Sequence, residues 1–207
     1  MDSKQTFLDC AQCEACGRPY QSIPPFAAGS MTAPIVVLAQ NPGAIHDDDR
    51  FRLAMAETIT AVVYAKWNIS SDAIRAWYYA DFVSSRGFAI LSSIFGNGWL
   101  SLDSGMFLYS NAVRCRTKDN AMPPKTMMKA CAVWTRMILD RPETRAVITI
   151  GALAAQQVFE TPPKVGVPLR YESKGWAVLA LPHYTRWAGI GPYEEAVKKI
   201  VEKVREK

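Results

Sequence analysis

Four short apolar runs along the chain predict four strands. They are IVVLA (35–39), GMFLYSNAV (105–113), AVITIG (146–151) and GWAVLALP (175–182). The first is rich in β-branched residues and stops at the turn signal QNPG. A run of this kind is typical of a buried strand in a parallel sheet that ends in a loop at its carboxyl end.

Helical patterns separate these runs and predict the other layers of the fold. The predicted helices cover residues 51–67, 71–95, 123–139, 152–159 and 193–203. Strands that alternate with helices predict an α/β fold, a three-layer α/β/α sandwich with a mostly parallel four-stranded central sheet. Ligands of such sheets bind beyond the carboxyl ends of the strands. The loops QNPGAIHDDD, SNAVRC and PHYTRW are therefore the expected functional segments.

The composition suits a single globular domain of 207 residues, with 49% hydrophobic and 21% charged residues. The chain has no apolar run of about 20 residues, the length that crosses a bilayer, and its first residues lack the layout of a signal peptide. We therefore expect a soluble, cytoplasmic protein without a membrane partner. A monomer is also expected, although no pattern in the sequence specifies the oligomeric state. The net charge of +5 permits a polyanionic partner without requiring one. Residues 21–34 are interpreted as a Pro/Gly/Ser-rich connector.

The five cysteines occur in two groups that are suited to an inorganic centre. Cys13 and Cys16 form a CxxC pair, and fifteen residues separate Cys115 from Cys131. Four thiolates bind either zinc or an iron–sulfur cluster, and the long second spacer favours the cluster. The alternative is buried or free cysteines, since disulfides are disfavoured in a reducing cytoplasm. Cys10 with Cys13 is an equally good pair, but we prefer Cys10 as a spare thiol.

Taken in order, these motifs resemble the family 4, iron–sulfur type of uracil-DNA glycosylase. CEAC, LAQNPGA, SNAVRCR, RAVITIGALAAQQVF and LPHYTRW occupy the positions of the family's motifs, and the Asn–Cys and Cys–Cys intervals fit its pattern. The resemblance implies the family's fold and a [4Fe-4S] cluster bound by Cys13, Cys16, Cys115 and Cys131. It also implies excision of uracil, or a related deaminated base, from DNA by base flipping and hydrolysis of the N-glycosidic bond.

The chain departs from the family pattern in three places. Gln40 and Asn41 replace the acidic residue of the family's first motif. The resulting sequence AQNPG is closer to the INPG loop of mismatch-specific uracil glycosylases. The closing His-Pro-Ser motif becomes HYT, beginning at His183. Asn41 and Asn111 are seventy positions apart, more than in the family, which predicts a helical insertion at 60–100. The single domain 1–207 would then carry this insertion and a Cys-bearing segment at 1–20.

Two residues are the main candidates for reading and releasing the base. The amide of Asn111 has an acceptor and a donor side by side, which match N3–H and O4 of uracil, whereas cytosine would leave groups unsatisfied. The alternative is an asparagine that caps a turn. By resemblance, His183 donates to a uracil oxygen as negative charge grows there. The alternative for His183 is a structural hydrogen bond.

The first loop supplies the other predicted substrate contacts. By likeness to the INPG enzymes, Asn41 orients the attacking water. Gln40 and Gly43 border the base, and the glycine allows backbone N–H groups to approach it. By resemblance, Phe51 stacks on uracil; the alternative is a core phenylalanine. The acidic run 47–49 is interpreted as a solvated turn or helix cap rather than as a source of a general base, and His46 is likewise not expected to act as a base.

Three further residues are predicted to contact DNA. Arg116 and Arg186 would meet phosphates, and Trp187 would fill the gap left by the flipped base. The alternative is that these residues occupy ordinary surface and core positions.

Two other functions of the protein stay open. The chain could bind DNA or a modified base without efficient excision, or it could be an iron–sulfur or zinc protein with a redox or sensing role unrelated to DNA.

Overall fold

A computed structural model describes residues 28–40, 86–100, 104–113, 121–159, 162–167, 169–171, 174–183, 186 and 191–206. These residues form six strands and four helices. The strands are β1 (Ala28–Gly29), β2 (Ile35–Ala39), β3 (Phe107–Asn111), β4 (Ala146–Ile150), β5 (Leu169–Tyr171) and β6 (Trp176–Leu181). The helices are α1 (Arg86–Phe95), α2 (Lys125–Leu139), α3 (Ala152–Val158) and α4 (Gly191–Arg205).

The strands form one mixed sheet in the order β1-β3-β2-β4-β6-β5. Its four central strands are parallel and coincide with the four apolar runs, which confirms the predicted mostly parallel sheet. The two edge strands pair antiparallel with their neighbours and were not predicted. Interpreting residues 21–34 only as a connector was wrong, because β1 lies inside that segment. Strands of two and three residues are too short to carry a recognisable apolar run.

Helices cover both faces of the sheet, as the predicted three-layer sandwich requires. Successive side chains of a strand point to opposite faces. Ile148 of β4 accordingly packs in the layer of α1 and α4, whereas its neighbour Val147 packs in the layer of α2 and α3. Both side chains are fully buried, so the central strands are apolar on both sides.

The described helices agree with their predicted counterparts. The helix predicted at 123–139 begins at Lys125, after Pro124 in an extended conformation. The described part of the prediction at 71–95 is helical from Arg86 to Phe95, while the prediction at 51–67 lies outside the described residues. The longest helices in the described part of the chain have 15 residues, and none is long and apolar enough to cross a membrane.

A half-buried arginine, Arg141, links the end of α2 to the segment that enters β2. The Nε of Arg141 donates to the carbonyl of Ile138 at 2.8 Å, and its Nη2 donates to the carbonyl of Ala33 at 3.2 Å. Its Nη1 donates to the carbonyl of Met31. Burial lowers the pKa of Arg141, and the nearby charge of Glu143 opposes that shift. The guanidinium thus connects the last turn of α2 to the backbone that precedes β2.

The four parallel strands end at the same register position, so their carboxyl ends form one edge of the sheet. Asn111, Ala39, Ile150 and Leu181 are successive neighbours across the sheet in the residue register. The residues that follow these strands therefore emerge side by side. This edge carries the three loops in which the sequence predicts functional residues.

Candidate active site

Three predicted site residues lie at the carboxyl edge of the sheet. Gln40 follows β2 directly, Asn111 is the last residue of β3, and His183 comes two residues after β6. Two strands, β2 and β4, lie between β3 and β6. At about 4.8 Å per interval, the ends of β3 and β6 are therefore about 14 Å apart. The fold thus places the carboxamide of Asn111 and the imidazole of His183 at the same edge of the sheet, three strand intervals apart.

The side chain of Asn111 is held inside the protein. It is 4% exposed, and its Oδ1 accepts a hydrogen bond of 3.3 Å from the hydroxyl of Tyr109. Asn111 is paired with Ala39 in the sheet, so it is a strand residue. Tyr109 was not singled out from the sequence. A signal was present, because residues two apart on a strand share a face.

Gln40 folds over the glycine that follows the neighbouring strand β4. A Cβ added to Gly151 would lie 2.5 Å from Oε1 of Gln40, a distance that real side chains do not tolerate. Gly151 also has φ +91° and ψ +153°, a backbone region that is essentially restricted to glycine. The sequence matched Gly151 to a family segment without giving it a role. The structure indicates that Gly151 makes room for the Gln40 side chain.

His183 is half-buried. Its carbonyl accepts a hydrogen bond of 2.8 Å from the backbone N–H of Arg186, whose side chain is exposed. Desolvation lowers the pKa of His183, and the positive charge of Arg186 lowers it further. The imidazole is therefore neutral at neutral pH, with one nitrogen as a donor and the other as an acceptor.

Cys131 lies on the buried side of α2. It is 3% exposed and packs in a small cluster with Val113 and Met127. Val113 precedes Cys115 by two residues, so Cys131 packs beside the chain that leads to its predicted partner. A buried thiol in this position fits both a cluster ligand and an ordinary core cysteine, the two alternatives that the sequence left open. The other predicted ligands, Cys13, Cys16 and Cys115, lie outside the described residues. Within the part of the chain that the structure describes, there is no group of three or more potential metal ligands.

The other predicted site residues lie outside the described part of the chain. They are Asn41, Gly43, Phe51, Arg116 and Trp187. Their roles stay predictions from the sequence. The described half of the site therefore consists of Gln40, Asn111, His183 and Arg186, together with the two residues that the sequence did not assign, Tyr109 and Gly151.

The model of the uracil DNA glycosylase superfamily matches residues 26–203 of this chain. The chain belongs to that superfamily. The match spans the whole described sheet and nearly all of α4, and it confirms the superfamily part of the sequence resemblance. A comparison with curated proteins found no match. Membership supports a DNA-glycosylase type of function, with DNA as the molecule acted on.

In a member of this superfamily, the side chains at this edge of the sheet have properties that suit a glycosylase reaction. A buried carboxamide with a defined orientation distinguishes bases by their donor and acceptor patterns. A neutral imidazole donates to an oxygen that gains negative charge, without itself losing a proton. The edge therefore has one group suited to recognition and one suited to stabilising a departing base.

Proposed function

We propose that this protein is a DNA repair enzyme that excises uracil, or a closely related deaminated base, from DNA. The observation that carries the proposal is the presence of both the buried Asn111 amide and the neutral, half-buried His183 at one edge of the sheet. Superfamily membership supports a glycosylase generally, and the character of these two side chains supports uracil as the base.

Recognition requires the base to leave the DNA stack, because its Watson–Crick edge is otherwise paired. In the flipped position, Oδ1 of Asn111 accepts from N3–H and Nδ2 donates to O4. A carbonyl oxygen has two lone pairs, so Oδ1 accepts from Tyr109 and from the base together. Cytosine offers an acceptor at N3 and a donor at position 4, and it would meet the wrong end of the amide at both positions.

Cleavage breaks the bond between C1′ of the sugar and N1 of the base, and the electron pair leaves with the base. Asn111 engages O4, so O2 is the oxygen left for the N–H of His183, which stabilises its growing negative charge. Water then bonds to C1′ and loses its proton to solvent or to the departing base. By the likeness to INPG loops, Asn41 orients that water. An amide does not remove a proton, so we expect slow turnover.

The cluster and the DNA contacts complete the proposal. Cys13, Cys16, Cys115 and Cys131 would bind a [4Fe-4S] cluster, which supplies crosslinks between chain segments. The packing of Cys131 against Val113 supports this arrangement, because it brings α2 beside the chain that leads to Cys115.

Arg186 is exposed in the loop of His183, where a guanidinium would meet a phosphate of the flipped nucleotide. Arg116 and Trp187 are proposed as further DNA contacts.

The proposal is tested by uracil release from a labelled oligonucleotide with one uracil, single-stranded and in a duplex. Wild-type protein should leave abasic sites that break in alkali. Asn111→Ala and His183→Ala should each slow release about 100-fold, since each removes a hydrogen bond made to the reacting base. Asn97→Ala is the matched control, because Asn97 is an exposed asparagine in the turn after α1. Undiminished release by both site variants would refute the assignment.

A second candidate function follows from the missing carboxylate of the first loop. With Gln40 and Asn41 in its place, the protein would bind a flipped base without efficient excision. Uracil-dependent retention of DNA in a gel shift, with no abasic product at excess enzyme, would favour this function. A reversible redox couple together with salt-independent or absent DNA binding would instead favour a sensor unrelated to DNA.

A further inference from the structure

Tyr109 lies two residues before Asn111 on β3, and the two side chains share the face of the sheet that α1 and α4 cover. Tyr109 is 5% exposed, and its hydroxyl donates to Oδ1 of Asn111 at 3.3 Å. This hydroxyl therefore marks one end of the amide as the carbonyl end.

The orientation of that amide decides which base it reads. The two ends of a carboxamide have nearly the same shape, and a half-turn about the last side-chain bond exchanges the donor and the acceptor. One orientation matches uracil, and the exchanged one matches cytosine. An amide that turned freely would accept both bases. A group that holds the amide in one orientation consequently sets the specificity.

We propose that Tyr109 is a positioning residue that holds Asn111 in the uracil-reading orientation. This inference rests on the proposed function. A phenol donates a hydrogen bond more readily than it accepts one, because its oxygen lone pair is delocalised into the ring. The hydroxyl of Tyr109 therefore favours the carbonyl end of the amide over the NH₂ end. The second lone pair of that carbonyl is the one that receives N3–H of uracil.

The ring of Tyr109 is itself fixed by an aromatic cluster. Trp99 meets Tyr109 edge to face, with ring centroids 6.2 Å apart and an interplanar angle of 85°. Trp99 stacks on Phe95 at 4.5 Å and meets Phe107 edge to face at 5.6 Å. Edge-to-face and stacked pairs of this kind favour defined ring orientations. These ring contacts favour one orientation of the Tyr109 ring, in which the hydroxyl points at Oδ1 of Asn111.

Tyr109→Phe tests the inference, because it removes one oxygen and keeps the ring. We expect uracil release to slow about 3- to 10-fold, the range expected for loss of one neutral hydrogen bond. The ratio of the inhibition constants of free cytosine and free uracil should fall by a similar factor. Thr135→Val is the matched control: it removes a buried hydroxyl that donates to the carbonyl of Ala112 at 3.5 Å, next to Asn111 but away from its amide. It should leave that ratio unchanged.

A double-mutant cycle distinguishes positioning from a direct role. If Tyr109 acts through Asn111, Tyr109→Phe has no further effect on the inhibition ratio in the Asn111→Ala background. Equal losses in both backgrounds would overturn the inference. So would an unchanged ratio in the single variant.

A measurement without catalysis separates failure of this inference from failure of the proposed function. The side-chain ¹H–¹⁵N resonances of Asn111 are identified by their loss in Asn111→Ala. Tyr109→Phe should shift or double them, while Thr135→Val should not. Unchanged resonances would refute the positioning role, whether or not uracil is released. A wild type that releases no uracil, but whose resonances respond to Tyr109→Phe, would refute the proposed function alone.

Discussion

At the scale of single residues, the charge state of His183 is the property on which the proposed chemistry depends. Its imidazole is partly removed from water, and Arg186 follows three residues later with its side chain exposed. Both effects disfavour a second positive charge, so the neutral form persists to lower pH than for an ordinary histidine. A neutral donor fits a departing base that is only partly anionic in the transition state.

Arg186→Gln should raise the pKa of His183 towards its ordinary value, while Arg186→Lys should leave it low because the charge remains. The measurement is an NMR titration of the imidazole Cε1–H resonances. The chain has two histidines, so His46→Gln assigns the spectrum. Equal pKa values in the two Arg186 variants would contradict the role of the charge.

The same shift predicts a pH dependence of stability. The pKa of His183 is lower in the folded than in the unfolded chain, so the unfolded chain binds more protons between the two values. The contribution of neutral His183 to stability is therefore fully present above the unfolded pKa of about 6.5. It is lost as the pH falls from that value through the lower pKa of the folded chain. Arg186→Gln should shrink this acid-side loss, as measured by urea unfolding at a series of pH values.

At the scale of elements, the junction of β4 and α3 decides how the loops meet at the edge. Gly151 links the two elements, and its N–H donates to the carbonyl of Leu181 at 2.9 Å. The Gln40 side chain occupies the space where a Cβ would stand. The junction therefore couples the loops that follow β2, β4 and β6.

Gly151→Ala should lower the free energy of unfolding by about 3 kcal/mol, because an alanine is strained in this backbone conformation and its Cβ also forces the Gln40 side chain to move. Gly96→Ala is the matched control, since Gly96 has the same φ of +91° but nothing within 4 Å of an added Cβ. We expect it to cost about 1 kcal/mol. Urea unfolding measures both, and equal losses would show that contact with Gln40 contributes nothing.

At the scale of the whole molecule, the proposed cluster would link distant segments of the chain. Its predicted ligands come from residues 13, 16, 115 and 131, so one centre would connect the N-terminal segment, the loop after β3 and helix α2. Crosslinks between such separated positions stabilise a fold chiefly by restricting the unfolded chain. Their proposed effect on function is to hold the loop that follows Asn111.

Protein purified without oxygen should be brown and contain about four iron ions per chain. Cys131→Ala should lose the iron and the visible absorbance, while Cys10→Ala should keep both, because Cys10 is the predicted spare thiol. Far-UV circular dichroism checks that Cys131→Ala, a change in a buried site, still folds. A colourless protein containing zinc would contradict the cluster.

Much of this fold was predictable because its strongest signals are local. A buried parallel strand must be apolar on both faces, so runs such as 35–39 and 146–150 are visible in the sequence alone. The position of Asn111 and His183 at strand ends was predictable for the same reason, since each adjoins such a run; their roles stay predictions. The edge strands were not, because β1 and β5 owe their conformation to pairing with a neighbour and carry no pattern of their own.

The sequence by itself determined the strand and helix segments and which polar residues stand at strand ends, since these depend on neighbours within a few positions. Only the tertiary structure decided which ends lie side by side. It placed the Gln40 side chain against Gly151, over a hundred residues away in the sequence, and it brought His183 to the same edge of the sheet as Asn111. The physical reason is that strand order and side-chain contacts arise from packing between distant segments, which no local pattern specifies.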